Sequence, residues 1–175
     1  FVGVVENRDW KNDSWMQKSP HQELQADFAG WNKTVQTVID LTPVDQCYRW
    51  ALHDCQPLDS WCSKRVALLG DAAHASLPFL ASGAATAIED ARILQRVLEG
   101  NKHTSASMLH QALNKYQQNR MSRTARVQKR SRNVGQLYHL PGRLLRRAAF
   151  KVLSVRAGKN EHFLPAYDAN TAPLV

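Results

Sequence analysis

The sequence lacks several features that would place it in common functional classes. Its eight glycines never form Gly-x-Gly-x-x-Gly, the turn that cradles a dinucleotide pyrophosphate. Only three cysteines occur, Cys47, Cys55 and Cys62, an odd number without metal-type spacing. We therefore expect reduced thiols, no metal site and a cytoplasmic location. The longest weakly charged run, Val66 to Ile88, is interrupted by charge, proline and glycine, so we expect no membrane span.

Acidic residues are missing from one long stretch of the chain. Residues 100–160 contain fourteen of the 23 Lys and Arg and no Asp or Glu, which leaves nine cations and all 15 acids elsewhere. Such a stretch can bind nucleic acid or an anionic membrane surface. It has few interleaved aromatics, and no recognised nucleic-acid module occurs. We therefore favour a solvated helix face that pairs with the acidic remainder, and we expect no nucleic-acid partner.

The chain is organised around a short apolar run and the turn that follows it. Val66 to Leu69 predicts a strand buried on both faces, Gly70 ends it, and Asp71 follows at its carboxyl end. A loop with Pro78 and Gly83 then leads to a helix. Apolar residues at spacings of three and four predict its buried stripe: Ala84, Ile88, Ala91, Leu94 and Leu98. This order of strand, acidic turn, loop and helix is typical of cofactor sites in α/β proteins.

A motif with a more specific meaning covers this region. The chain reads Gly70-Asp71-Ala72-Ala73-His74, followed by Pro78, Gly83 and Ala87-Ile88-Glu89-Asp90-Ala91. This motif resembles the second flavin-contacting motif of the FAD-dependent aromatic hydroxylases. These enzymes are the group A flavoprotein monooxygenases, which include the salicylate hydroxylase-like enzymes and their fungal relatives.

The resemblance implies roles for individual residues. Asp71 would bind the ribityl chain of FAD, and backbone amides at the following helix start would face the pyrimidine end of the isoalloxazine. Pro78 would lie beside the flavin and the substrate. The candidate cofactor-binding residues are therefore Gly70, Asp71, Pro78, Gly83, Ala84 and Ala85. No catalytic acid, base or nucleophile can be named.

Other residues near the motif have simpler expected roles. Family members often have Gly-Gln-Gly where this chain has Ala81-Ser82-Gly83, so we expect this loop to keep to ordinary φ values. For His74 we expect a structural hydrogen bond before proton transfer. For Trp50 and Trp61 we expect packing in a core or against a sheet rather than an aromatic substrate cage.

The resemblance implies an α/β fold, namely the carboxyl-terminal portion of a GR2-type FAD-binding fold. It would include the tail of an antiparallel substrate-domain sheet and carboxyl-terminal helices. Residues 1–56 would end the substrate domain, 57–100 would form the return segment of the FAD-binding domain with the Gly-Asp motif, and 101–175 would form a carboxyl-terminal helical segment. Pro57 to Trp61 fits the family's Pro-Leu-x-x-Trp return, and Phe163 to Asp168 resembles its terminal aromatic-x-x-x-Tyr-Asp element.

Periodicity supplies the remaining elements. Strands are predicted over Phe1 to Val5 and, from strict alternation, over Cys47 to His53. A turn is predicted over Gly100 to Lys102. Helices are predicted from Ser19 with that serine as the cap, around residues 35–39, from Ser105 to near Gly135, and from Arg143 to Val155. The apolar stripe of the helix from Ser105 is predicted to comprise Leu109, Ala112, Leu113 and Tyr116.

The activity that the resemblance implies depends on FAD, with NADH or NADPH as co-substrate. One atom of O₂ would enter a small aromatic or alkene substrate, including polyketide-like or terpenoid-like molecules. Without a glycine-rich turn we expect these residues alone to bind FAD poorly, as part of a longer polypeptide or beside a separately encoded amino-terminal half. The alternatives are a non-catalytic remnant, a split-enzyme half, or a basic nucleic-acid-binding module.

Overall fold

The structure, a computed structural model, describes residues 1–6, 14–99, 105–160 and 164–175, with the backbone alone at 143 and 155–160. The chain divides into two units, Phe1–Leu52 and His53–Val175. Two features expected from the sequence, the turn at residues 100–102 and the aromatic Phe163, lie outside the described residues.

Short helices dominate the amino-terminal unit. They are α1 (His21–Asp27), α2 (Lys33–Asp40) and a 3₁₀ turn (Val44–Gln46). Asn32 caps α2, because its side chain accepts a hydrogen bond from Val35 N at 3.0 Å. The helix expected around residues 35–39 is thereby confirmed.

The predicted cap of α1 is wrong. Pro20 occupies the N-cap position, and no side chain caps the helix. Ser19 Oγ instead donates to Glu23 Oε2 at 2.9 Å. The carboxylate one turn into the helix is a stronger acceptor than the hydroxyl, so the serine acts as its donor rather than as an acceptor for helix amides.

The two strands predicted in this unit do not form as regular strands. Residues 1–6 have no regular secondary structure, and Cys47 to His53 makes only an isolated antiparallel bridge between Tyr48 and Lys18. Ser19 N donates to Cys47 O at 3.0 Å beside that bridge. Alternation in the sequence produces an extended segment, but a regular strand also requires a continuous neighbour to pair with.

The carboxyl-terminal unit holds the rest of the secondary structure. Its elements are β1 (Cys62–Ser63), β2 (Val66–Ala67), α3 (Asp71–His74), a 3₁₀ turn (Pro78–Leu80), α4 (Gly83–Glu99), α5 (Ala106–Tyr138) and α6 (Arg143–Asn160). β1 and β2 pair antiparallel, with Cys62 opposite Ala67. The carboxyl-terminal helices that the expected fold class includes are therefore present.

The strand expected over Val66 to Leu69 is shorter and less buried than predicted. Only Val66 and Ala67 are in β2, and Val66 is 64% exposed. Within the described part of the chain β1 is the only strand that pairs with β2. Burial on both faces requires a covering layer on each side. Here Ala67 packs against the core, whereas Val66 is exposed to solvent.

The apolar core of this unit gathers residues from several elements. Its buried members are Trp61, Ala73, Ile93, Val97, Tyr116 and Ala169. The indole of Trp61 is 4% exposed and lies 5.9 Å from the ring of Tyr116, centroid to centroid. The packing role expected for Trp61 is confirmed, and in the other unit Trp50 stacks on Trp15 at 6.4 Å.

Helix α4 forms where it was expected but turns a different face inward. Its predicted stripe includes Ile88, which is 70% exposed. The buried residues are Thr86, Asp90, Ile93 and Val97. A helix face that includes an aspartate is buried because partners for that charge exist elsewhere in the fold, which apolar periodicity does not detect.

Helix α5 is the longest element, and its amino-terminal stripe agrees with the prediction. Ser105 caps it by accepting from Met108 N at 3.2 Å, and the expected Ala112, Leu113 and Tyr116 are buried. The helix continues past Gly135, its expected end, to Tyr138, and the missing side chain of Gly135 leaves room for the ring of Phe79. No helix in the described part of the chain is long and apolar enough to cross a membrane.

Candidate functional site

Gly70 turns the chain from β2 into α3 with a backbone conformation that glycine adopts most easily. Its φ is +60° and its ψ is −139°. A Cβ at this position would lie 3.2 Å from the Cβ of Ala87 on α4. The positive φ and the close approach to α4 both favour glycine. The direction of the chain into Asp71 is therefore set by a turn packed against α4.

Asp71 is the first residue of α3, and it is exposed. Its Oδ1 lies 3.9 Å from the position that a Cβ on Gly83 would take. The structure thus brings the acid after the strand and the first residue of α4 into van der Waals range. A solvent-facing carboxylate at this place can accept hydrogen bonds from a ligand.

The first turn of α4 offers backbone donors next to that carboxylate. Thr86 N donates to Ser82 O at 2.9 Å. The N–H groups of Gly83, Ala84 and Ala85 precede this bond, so the helix provides no acceptor for them. Ala84 and Ala85 are exposed. Such donors lie at the positive end of the helix dipole and suit anionic or strongly accepting ligand oxygens.

The loop before α4 contains a backbone conformation that the sequence did not predict. Pro78 is exposed at the start of its 3₁₀ turn, and Ala81 N donates to Pro78 O at 2.9 Å. Ala81 has a φ of +47°, so the expectation of ordinary φ values is wrong here. A left-handed alanine costs about 1–2 kcal/mol. The loop therefore enters α4 through a left-handed residue where family members often have glycine.

A buried carboxylate of α4, Asp90, contacts the same turn from the interior. Asp90 is 0% exposed. Its Oδ2 accepts from Gly70 N at 3.0 Å and from His74 Nε2 at 2.5 Å. Its Oδ1 accepts from Arg120 Nε at 2.7 Å. Donors from the glycine turn, α3 and α5 therefore converge on one carboxylate.

Two arginines of α5 extend this contact into a larger charged group. Arg120 is 0% exposed, and its Nη2 donates to Glu89 Oε2 at 2.7 Å. Arg123 donates to both oxygens of Glu89, each at 2.6 Å, and its guanidinium lies 4.0 Å from the ring centroid of Tyr167. We call the set the α4–α5 ion cluster, which comprises His74, Glu89, Asp90, Arg120 and Arg123.

The expected solvated face of α5 is wrong at these two arginines. Arg120 and Arg123 are buried, although they do pair with acids from outside the basic segment, as expected. Burying a guanidinium is tolerated when its donors find carboxylates in good geometry. The basic segment is thus in part an internal scaffold for α4.

The contacts within the cluster shift the pKa values of Asp90 and Arg120 so that both side chains stay charged. Burial alone would raise the pKa of Asp90, but hydrogen bonds from His74 and Arg120 hold it below its ordinary value. Burial alone would lower the pKa of Arg120, but Asp90 and Glu89 raise it. An ionised carboxylate is therefore the stable form of Asp90 at neutral pH.

His74 has the structural role expected for it. It is 4% exposed, hydrogen-bonded to Asp90, and its ring lies 5.2 Å from the ring of Trp61. The structural hydrogen bond is confirmed. No cluster of residues with metal-ligand character occurs in the described part of the chain.

Sequence patterns alone assign no role to Asp90 or Arg120. Asp90 falls within the motif, but its neighbours Ile88 and Ala91 suggest the wrong buried face. The available signal was charge: cations in a segment without acids need partners from elsewhere, and Glu89-Asp90 is an acidic pair within an otherwise mostly apolar helix.

Comparison with known proteins identifies a protein family that matches this chain. Residues 5–131 match the family model of the FAD binding domain. That range contains the Gly70 turn, the start of α4 and the α4–α5 ion cluster. It covers well over half of the 175 residues.

Several characterised proteins are similar in sequence. The chain is 36% identical to the 3-amino-4-hydroxybenzoate 2-monooxygenase PtmB3 of Streptomyces platensis over 141 residues, which are 81% of this chain and 34% of that protein. It is 37% identical to a salicylate hydroxylase of Pseudomonas putida over 132 residues, 75% of this chain and 30% of that protein. The chain thus spans about a third of the length of these relatives.

Solved structures are similar as well. A salicylate hydroxylase in a substrate complex matches with a TM-score of 0.71 and 32% identity, over 94% of this chain and 41% of that one. Klebsiella pneumoniae HpxO, complexed with FAD and uric acid, matches with a TM-score of 0.68 and 28% identity, over 91% and 38%.

Proposed function

The chain belongs to the FAD-binding domain family of the FAD-dependent aromatic hydroxylases, and we propose that it forms one wall of the flavin site in a monooxygenase. In this proposal Asp71 and the first turn of α4 hold the ribityl chain and the pyrimidine end of the isoalloxazine. The remaining contacts to the cofactor come from residues beyond these 175.

One observation carries the proposal: the exposed Asp71 carboxylate lies beside the amino terminus of α4, with Oδ1 3.9 Å from the Cβ position of Gly83. The ribityl chain of FAD carries hydroxyl donors, which suit a carboxylate acceptor. The pyrimidine end of its ring carries accepting oxygens, which suit the amides of Ala84 and Ala85. Acceptor and donors are therefore arranged in the order in which the cofactor needs them.

Each residue contributes to binding and orientation. Asp71 accepts from ribityl hydroxyls, Gly70 directs it through the turn packed against α4, and Gly83 leaves room for the backbone to approach the cofactor. The amides of Ala84 and Ala85 favour negative charge near N1 and O2 of the ring, as an oxyanion hole does. FAD, reduced by NADH or NADPH, supplies the transfer of one oxygen atom from O₂ to an organic substrate.

The substrate class follows from the relatives. Their names describe hydroxylation of salicylate and of an aminohydroxybenzoate. We therefore propose a small electron-rich aromatic substrate, with an alkene of polyketide or terpenoid type as the wider class. Pro78, exposed before α4, would lie between the flavin and that substrate.

The proposal also assigns parts of the chain to domains. Residues 1–56 would end the substrate domain, 57–100 would carry the flavin motif and 101–175 would support it. The ADP half of FAD would be bound by a glycine-rich turn outside this sequence, in the same polypeptide or in a separately encoded half. The cysteines Cys47, Cys55 and Cys62 are free thiols, which suits a reducing compartment such as the cytoplasm.

Two cations of the basic segment are not available to bind nucleic acid, which argues against the nucleic-acid-binding alternative. Arg120 and Arg123 are paired inside the protein, and Tyr167 covers Arg123. Counterion release requires cations that can reach phosphates. The remaining basic residues do not form a recognised nucleic-acid module.

The test of the proposal is Asp71→Ala in the full-length protein, with Asp59→Ala as the matched control. Asp59 is an exposed acid of the same unit that no candidate role involves. We expect Asp71→Ala to weaken FAD binding by about tenfold or more, since charge-assisted hydrogen bonds are lost. Titration followed by flavin fluorescence measures the dissociation constant.

The outcome separates binding from folding. Asp59→Ala should bind FAD as the unaltered protein does, and both variants without cofactor should melt at the same temperature. If Asp71→Ala retains FAD as tightly as Asp59→Ala, the assignment of the flavin site to this turn is wrong.

A further inference from the structure

Both ends of α3 are tied to the same carboxylate oxygen. Gly70, the N-cap of α3, donates its N–H to Asp90 Oδ2 at 3.0 Å. His74, the last residue of α3, donates Nε2 to the same oxygen at 2.5 Å. Asp71 lies between these two anchors. A helix of one turn has no stability of its own, so its orientation depends on such tertiary contacts.

The carboxylate that holds α3 is itself held in position. Asp90 Oδ1 accepts from Arg120 Nε at 2.7 Å, and Arg120 Nη2 donates to Glu89 Oε2 at 2.7 Å. Arg120 is fully buried, and Tyr167 lies 5.2 Å from its guanidinium carbon. Neither Asp90 nor Arg120 can therefore change rotamer without breaking several charge-assisted hydrogen bonds.

We propose that Asp90 is a positioning residue of the flavin site: by clamping Gly70 and His74 it sets the direction in which Asp71 presents its carboxylate to FAD. This inference rests on the proposed function, because it takes the Asp71 turn as the flavin contact. Asp90 never touches the cofactor and acts through α3. Glu89 belongs to the same ion cluster, but its carboxylate accepts hydrogen bonds from Arg120 and Arg123 and not from the Gly70 turn or His74.

That difference provides a matched pair of variants, Asp90→Asn and Glu89→Gln. Both remove one negative charge from the α4–α5 ion cluster, and both should lower the stability of the protein without FAD. Only Asp90→Asn changes the acceptor of Gly70 N–H. The one oxygen of asparagine cannot serve both Arg120 and the α3 anchors. Its amide hydrogens would therefore oppose either the Gly70 donor or the Arg120 donor that fixes the side chain, and both arrangements disturb the clamp.

The measurements are the FAD dissociation constant and the visible absorption spectrum of the flavin at saturating FAD, in the full-length protein well below its melting temperature. We expect Asp90→Asn to weaken FAD binding by about tenfold and to alter the flavin bands. Glu89→Gln should change the dissociation constant by less than about threefold, a free-energy change too small for the loss of a flavin contact. Equal dissociation constants for the two variants would overturn the positioning role.

A second pair covers the case in which Asp90→Asn does not fold. His74→Gln keeps a donor at nearly the same reach toward Asp90, whereas His74→Leu removes it. Tight FAD binding should survive in the glutamine variant and weaken in the leucine variant. Equal binding by the two folded variants would contradict the clamp.

The results also separate this inference from the proposed function. If Asp71→Ala loses FAD while Asp90→Asn binds it as Glu89→Gln does, the flavin site stands and the positioning role fails. If Asp71→Ala retains FAD, both fail.

Discussion

Helices α5 and α6 carry similar runs of basic residues, yet the two helices use them in opposite ways. In α5, Arg120 and Arg123 are buried and bonded to carboxylates of α4. In α6, Arg146 and Arg147 are exposed, as is the apolar Leu144 at 82%. No Asp or Glu occurs within either helix. The two helices therefore have a similar charge composition, but arginines are buried in α5 and exposed in α6.

The difference comes from what each helix packs against. One face of α5 lies along α4 and the 3₁₀ turn at Pro78–Leu80, so an arginine on that face meets the acids of α4 or a backbone carbonyl. Helix α6 contacts α5 through the rings of Phe150 and Tyr138, stacked 5.8 Å apart. Its described basic residues, Arg146, Arg147 and Lys151, are exposed to water, where ion pairing contributes little to stability. Arg120 and Arg123 are buried because the fold places carboxylates of α4 beside them.

Arg120→Met tests this difference between α5 and α6, and it is expected to have the largest effect on stability. Removing this guanidinium leaves the buried carboxylate of Asp90 without its arginine partner, so we expect a loss of about 3–5 kcal/mol in the free energy of unfolding. Arg146→Met on α6 is the control, with an expected change within about 0.5 kcal/mol. Chemical denaturation of the full-length protein measures both. Similar losses for the two variants would remove the distinction between the helices.

Within α5 itself, the variants Arg123→Glu and Arg126→Glu compare a buried arginine with an exposed one. Arg123 is buried and bonded to both oxygens of Glu89, whereas Arg126 is exposed. Reversing the charge at 123 places two carboxylates together, at a cost of about 3 kcal/mol. At 126 we expect less than about 1 kcal/mol. A sequence-based interpretation as a solvated face predicts small effects at both positions, and equal melting temperatures would support it.

The smallest expected effect is the change in the free energy of unfolding at acidic pH. The folded state holds the pKa of Asp90 below its ordinary value, which is about 3.9 in an unfolded chain. The stability that ionised Asp90 contributes is therefore complete above that pH and is lost as the pH falls through the folded pKa. The difference in unfolding free energy between the unaltered protein and Asp90→Asn should be constant from neutral pH to about 5 and narrow below about 4. A difference that narrows already near neutral pH would contradict this assignment.

Much of the local structure followed from the sequence because it depends on neighbours along the chain. The Ser105 cap and the stripe of Ala112, Leu113 and Tyr116 are periodic signals that packing preserved. The family motif likewise placed Gly70 at a turn and a helix after the loop with Gly83, but the single helical turn α3, which begins at Asp71, was not predicted. The predicted strands fared worse, because a strand is completed by a partner that alternation does not specify.

Two features of the site were beyond local reasoning. The left-handed Ala81 contradicts the preference of its residue type, and the surrounding turn compensates for its cost. The buried face of α4 includes Asp90 rather than Ile88. An analysis of apolar periodicity assumes that charged side chains are exposed. This assumption fails where the interior supplies hydrogen-bond donors for a carboxylate.

The longer helices, the family resemblance and the groups proposed to contact a flavin, one carboxylate and one helix amino terminus twelve residues apart, can all be recognised in the sequence alone. That Asp90 and Arg120, thirty residues apart in the chain, meet and hold α3 from the interior depends on the tertiary structure. The reason is energetic. A buried charge is unfavourable alone and tolerated in a hydrogen-bonded pair, so its place depends on the distant residue that the completed fold brings to it.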